Sequence, residues 1–257
     1  MKKIFSFLFV FIFSSSFVFS NPKEEVLVVG TASGYAPFVS LNEKGEYEGF
    51  DIDFVKELAK KMNRKLVLKD LGSMNSLMLA LNQNKIDAVI WAISITQERK
   101  DHLNMIYYQG GCQTKYPIIF WNEVPKSFLN NIENLCNNSK DYICVEAGSS
   151  QENILKCYPK VNIRYIEKIT DGIMDVKYGK SKATLCDESL LKTLTGQHPE
   201  IIVRFLDLPP SERIYGNGIA VKKSNVKLAK EIQTAVDMLK ADKIIQKLEK
   251  KWNLVGE

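Results

Sequence analysis

The chain has 257 residues, 45% of them hydrophobic, with 35 basic and 30 acidic side chains and a formal net charge of +5. The charge is mild and mixed, with no basic block, so nucleic-acid binding has no support. The length suffices for one large domain or two modest ones, each with its own core, and two lobes are expected.

The first residues set the compartment. Lys2-Lys3 precedes an apolar run from Ile4 to Phe13 and a serine-rich tail ending in Val18-Phe19-Ser20, the pattern of a secretory signal peptide. Residues 1–20 are read as the leader, with cleavage after Ser20 and a mature start at Asn21; cleavage after Ser16 is the alternative. No cysteine precedes Cys112 to carry a lipid, and no later stretch is long and apolar enough to span a bilayer. A soluble, exported mature protein is expected.

Glu25 to Gly30 reads as a strand that opens into the Gly/Pro-punctuated loop Thr31-Ala32-Ser33-Gly34-Tyr35-Ala36-Pro37-Phe38. After a turn at Asn42 to Gly45, a helix carries Ile52, Val55, Leu58, Ala59 and Met62 on one face, with Asp51 suited to its N-cap and Asn63 to its end. Asp51 and Asp53 are read as capping and helix-dipole groups. Lys65 to Asp70 is the next strand. A helix from Ser73 then places Met74, Leu77, Met78 and Leu81 at helical spacing.

Ala88 to Ile93 is a continuous apolar run, expected as a strand buried on both faces, and Thr96-Gln97-Glu98-Arg99 follows as an N-cap and first helical turn. At such a corner Ser94 can donate a hydroxyl and Arg99 can clamp a carboxylate through two hydrogen bonds. The alternative makes Arg99 a solvated surface charge. The β-α-β-α-β-α order calls for a mostly parallel sheet covered by helices.

Beyond Met105 the texture changes, and a lobe crossing is placed at Gly110-Gly111 before the apolar strand Tyr116 to Trp121. Tyr142 to Val145 is a strand running into Glu146-Ala147-Gly148-Ser149-Ser150-Gln151-Glu152 and a helix, a second corner of the same kind. Val161 to Ile166, Ala183 to Cys186 and Ile201 to Leu206 are further strands. Thr170 to Tyr178 suits a short helix. Asp187 either caps the helix after it or points a carboxylate into a crevice at a strand end. Pro209-Pro210 stiffens the passage to a strand from Tyr215 to Lys222, taken as the second crossing. The two final helices are expected to return to the first lobe, so that residues 21–111 and 213–257 form lobe 1 and residues 112–212 form lobe 2.

All five cysteines, Cys112, Cys136, Cys144, Cys157 and Cys186, lie mid-chain, and the odd number leaves at least one unpaired. Cys136 and Cys144 flank a polar turn and form the candidate disulfide. With no Cys-x-x-Cys and only His102 and His198, neither a metal nor a redox cofactor is expected.

These residues resemble a known family, the polar-amino-acid solute-binding proteins of ABC importers, bacterial extracellular solute-binding family 3. Gly30-Thr31 with Tyr35-Ala36-Pro37-Phe38 looks like the family's first loop, and Gly45 with Gly49-Phe50-Asp51-Ile52-Asp53 is similar to "dGxxxGFDvD". Lys85-Ile86-Asp87-Ala88 with Ser94 to Arg99 resembles "GkxDaxxxxxxiTxeR", the most specific match. Gly148-Ser149-Ser150-Gln151-Glu152 stands at "GTTqE", Asp187 at the post-strand aspartate, Gly218 to Lys223 at "Ygiavrk" and Lys251-Trp252 at "kW". Their order and spacing carry the likeness over nearly the whole mature chain.

The resemblance implies an α/β, two-lobed periplasmic binding protein of type II, with two hinge crossings and a ligand cleft between the lobes. It implies that Arg99 and Ser94 hold an amino acid's α-carboxylate, with backbone N–H groups near Ala92 and Ile93 and the Ser149-Ser150 corner opposite. Asp187 accepts from the α-ammonium, Tyr35, Met74 and Trp91 enclose the side chain, and Gln151 lies close by. Ala32 stands where members specific for basic ligands often carry an aspartate, and Met74 replaces a usual Phe, Trp or Leu. The likeness extends to arginine-binding members of chlamydia-like bacteria, which favours arginine, with glutamine next. The expected partners are the amino acid, an inner-membrane permease and its ATPase, and the receptor is expected to be a monomeric, non-enzymatic protein of the periplasm. The alternative is an enzyme on the same fold, of the cyclohexadienyl dehydratase type.

Overall fold

Beyond a small two-stranded hairpin, helices and strands follow one another along the chain, and the remaining strands divide between two five-stranded sheets. The computed structural model describes residues 25–254, so the leader and its cleavage at Ser20 or Ser16 lie outside the described residues. In chain order the first elements are β1 (Val26–Thr31), β2 (Ser40–Leu41), β3 (Tyr47–Glu48), α1 (Phe50–Lys61), β4 (Lys65–Asp70), α2 (Met74–Asn82), β5 (Ala88–Ser94), α3 (Gln97–His102) and β6 (Leu103–Gln113). Then come β7 (Lys115–Trp121), β8 (Tyr142–Glu146), α4 (Ser150–Lys156), β9 (Asn162–Ile166), α5 (Ile169–Lys177), β10 (Ala183–Leu185), α6 (Leu191–Gln197) and β11 (Ile201–Asp207). The last three are β12 (Ile214–Lys222), α7 (Val226–Ala241) and α8 (Ile244–Lys251).

The first sheet has the order β4-β1-β5-β12-β6, and the second β11-β7-β10-β8-β9. β1 pairs in parallel with β4 and β5, whereas β12 runs antiparallel to both β5 and β6. All seven residues of β5 are buried, as a strand covered on both faces requires. In the second sheet β8 is parallel to β9 and β10, and β7 runs antiparallel to β10 and β11. Tyr116, Ile118, Phe120, Ile143, Val145, Ile154 and Leu155 belong to a second core separate from the one around β1 and β5.

Two passages join the sheets. β6 runs on through Thr114 into β7, and β11 returns through Pro209-Pro210 to β12. β6 and β12 pair with each other from Leu103↔Lys222 to Gln113↔Ile214, with register shifts around Asn217. α7 and α8 have no strands of their own to cover, and they pack on α1. Asp53 accepts hydrogen bonds from Trp252 Nε1 at 2.9 Å and Lys251 Nζ at 2.7 Å, which pins α8 to α1.

Two local expectations are corrected. The N-cap of α1 is Gly49, not Asp51, because φ of 130° and the Phe38 carbonyl, which a Cβ at position 49 would meet at 2.0 Å, admit only glycine. Cys136 and Cys144 form no disulfide; all five cysteines are free thiols. Cys144 is buried and its thiol donates to the carbonyls of Gly172 and Ala183. Among the described residues no helix is long and apolar enough to cross a membrane, and no cluster suited to a metal ion occurs.

Candidate functional site

The C-terminal end of β5 forms one wall of a cleft between the lobes. Trp91, Ala92, Ile93 and Ser94 follow one another there, and Ala92 adopts a left-handed backbone with φ of 43°. That conformation is unusual for a residue with a side chain. It is held by the carboxylate of Asp51, which accepts the Ala92 N–H at 2.7 Å and the Tyr108 hydroxyl at 2.7 Å. Burial pushes Asp51 up to about 7, against the opposing pull of those two hydrogen bonds.

The next turn positions a cation. Thr96 caps α3 by accepting the Arg99 N–H at 3.2 Å, which fixes the base of the arginine. Its guanidinium donates to the Ser94 carbonyl at 2.9 Å and across the cleft to the Gly148 carbonyl at 3.2 Å. Burial lowers the Arg99 pKa, and Glu98, Tyr116 and Glu146 act in the opposite sense. The reading of Arg99 as a solvated surface charge is thereby set aside.

The opposite wall begins where β8 runs into α4. Ser149 caps α4 by accepting the Glu152 N–H at 3.2 Å, and the Glu152 carboxylate reaches back to the Gly148 N–H at 2.8 Å, a reciprocal capping arrangement. Ser149, Ser150 and Gln151 are all buried in this corner. Gln151 Nε2 donates to the Tyr116 hydroxyl at 2.6 Å and to Asp187 at 3.2 Å. Asp187 does not cap the turn that follows it. Its carboxylate also accepts from the hydroxyls of Tyr116 and Tyr35, the second of which comes from the other lobe. Burial pushes Asp187 up to about 7.

All eleven residues expected at the site, Tyr35, Met74, Trp91, Ala92, Ile93, Ser94, Arg99, Ser149, Ser150, Gln151 and Asp187, line one cleft, and Glu146 lines it with them. The Tyr35 and Trp91 rings stand 5.5 Å apart between centroids at 59°, forming an aromatic wall. With Tyr35 bonded to Asp187 and Arg99 bonded to Gly148, the free space in this cleft is about 30 Å³, the scale of a single water. Sequence reasoning gave Glu146 and Tyr116 no place in the site and read Asp51 as a capping group. Glu146 had a usable signal, since it ends a strand immediately before a glycine-serine corner.

Comparison with known proteins gives the family and the fold. Residues 27–255 match the family described as bacterial extracellular solute-binding proteins, family 3. A probable ABC transporter arginine-binding protein, ArtJ, of Chlamydia trachomatis serovar D is 31% identical over 234 residues, covering 91% of this chain and 88% of the relative. The ABC transporter glutamine-binding protein GlnH of Bacillus subtilis is 29% identical, over 81% of this chain and 73% of the relative. Among solved structures, an ancestral arginine-binding protein bound to arginine superposes with a TM-score of 0.75 at 26% identity, covering 89% of this chain and 98% of that one.

Proposed function

The chain belongs to the bacterial extracellular solute-binding proteins, family 3, and we propose that it is the periplasmic receptor of an amino-acid ABC importer, binding a polar or basic L-amino acid, with arginine favoured over glutamine. Proteins of this family bind amino acids and work with an ABC permease; the energising ATPase, the monomeric state and the periplasmic location of this chain are part of the proposal.

One observation supports it above the others. Arg99 and Asp187 line the same cleft, and neither has an ion-pair partner among the described residues. A charge withdrawn from water without a counter-charge is costly. A zwitterion supplies both counter-charges at once: its carboxylate on Arg99, with the Ser94 hydroxyl and the N–H groups near Ile93 and the Ser149-Ser150 corner, the Ala92 N–H being already taken by Asp51, and its ammonium on Asp187. Tyr35, Met74 and Trp91 then enclose the side chain, with Gln151 holding Asp187 in place.

The free space in the cleft at Arg99 and Asp187 is smaller than an amino acid, so entry requires its walls to part. The passages near Gly110-Gly111 and Pro209-Pro210 divide the chain into lobe 1 (residues 21–111 and 213–257) and lobe 2 (residues 112–212), and they are where hinge closure would turn. The reading is one of binding without turnover, and prephenate or arogenate should be left unchanged.

The test is titration calorimetry on protein refolded to strip bound ligand. Asp187→Ala should weaken amino-acid binding by about 100-fold or more, the cost of leaving an ammonium buried and unpaired. Unchanged affinity would point instead to an anion without an ammonium group.

A further inference from the structure

The cleft holds a third ionisable group that an α-amino acid's own charges do not satisfy. Glu146 is the last residue of β8 and lines the cleft beside Arg99, Gln151 and Asp187. Its Oε1 is fully buried and has no hydrogen-bond partner, and the indole N–H of Trp91, in the same cleft, is likewise buried and unpartnered. Buried polar atoms are ordinarily paired, so two orphans in one cleft ask for a common explanation. We propose that Glu146 selects the ligand's side chain, receiving the guanidinium or ammonium of a basic L-amino acid. The inference rests on the amino-acid-receptor reading above and narrows its substrate class.

Charge balance favours this reading. Arg99 and Asp187 are neutralised by the ligand's carboxylate and ammonium, which leaves Glu146 as an uncompensated carboxylate unless the side chain brings a positive charge. Burial, aided by Glu167 and Asp171 and opposed by Arg99, already pushes Glu146 up to about 7, so the cleft stands poised between a carboxylate and a carboxylic acid. Tyr116, itself buried, also faces Glu146 electrostatically. A cationic side chain keeps Glu146 ionised and turns the burial cost into attraction. A neutral amide such as glutamine's would need Glu146 to take up a proton and donate. The Tyr35 and Trp91 rings on the opposite wall suit the planar face of a guanidinium.

The probe is L-citrulline, which keeps arginine's length and shape but replaces the guanidinium with a neutral ureido group. Calorimetry at pH 8 on the refolded wild type should show arginine bound at least about 30-fold more tightly than citrulline, the size expected of a desolvated charge pair. In Glu146→Gln the preference should shrink to within about threefold, through loss of arginine affinity, with citrulline and glutamine binding retained. Equal binding of arginine and citrulline by the wild type would overturn the inference, and so would an equal loss of all three ligands in Glu146→Gln. The wild-type ratio decides the matter even if the variant does not fold. A wild type that prefers glutamine or citrulline ends this inference and leaves the receptor reading standing, whereas binding of no amino acid ends both.

Discussion

The carboxylate of Asp51, on α1, holds the backbone N–H of Ala92, on β5, at 2.7 Å. The two residues are 41 positions apart in the chain. Ala92 needs this partner because, with φ of 43°, its N–H is buried and goes to the Asp51 carboxylate. Asp51→Ala leaves that N–H and the Tyr108 hydroxyl without an acceptor, so it should cost about 2–4 kcal/mol of stability. Urea unfolding measures it. Tyr108→Phe, which removes one of the two bonds, should cost about 1 kcal/mol.

Gly49 offers a contrasting stability prediction outside the cleft. A Cβ there would sit 2.0 Å from the Phe38 carbonyl oxygen, a backbone atom that cannot swing aside, and φ of 130° is open to glycine. Gly49→Ala should therefore destabilise by about 3 kcal/mol or more. Thermal melting checks this, and ligand affinity of the folded fraction should be little changed.

Arg99 reaches two carbonyls at once, Ser94 and Gly148, and so ties its own corner to the other lobe. Lysine keeps the charge but has no planar fork to make both bonds while also meeting a carboxylate. Arg99→Lys should weaken amino-acid binding by about tenfold or more with stability little affected. Calorimetry set beside a melting curve separates the two effects.

Three carboxyl groups, Asp51, Glu146 and Asp187, lie at about 7 in the folded protein, above ordinary values of 3.8 for Asp and 4.5 for Glu. The folded chain then binds more protons than the unfolded one between these limits. Their contribution to stability is fully present below about pH 4 and is lost as pH rises through about 7. For the ligand-free protein their part of the melting profile should fall across that window and flatten above it. An ammonium on Asp187 favours the ionised form, so binding should release protons below pH 7, and affinity should improve from pH 5 to pH 7.5. Calorimetry in buffers of different ionisation enthalpy reads the proton count directly.

How much of this was readable in the residues depends on whether their environment is local. The unbroken apolar run of β5 and the Thr96 cap before Arg99 announce themselves within a dozen positions, and both stand in the structure. Asp51 does not, because a carboxylate at a helix start is locally explained by capping, and only the packing of α1 on β5 delivers it to Ala92. Glu146 is hidden for a related reason. Strand periodicity places it at the end of β8 but cannot say that a second lobe will close over that end and take it from water. Cys136 and Cys144 show the opposite error: closeness along the chain says nothing of closeness in space, and Cys144 lies buried beneath Gly172 and Ala183.

The most direct test of the account is a thermal-shift panel on the chain from Asn21 onward, refolded to strip bound ligand and screened against the twenty amino acids. A ligand that binds only the native state raises the melting temperature with the logarithm of its excess over Kd. Arginine should give the largest shift, with lysine or glutamine behind it. No shift from any of the twenty would contradict it.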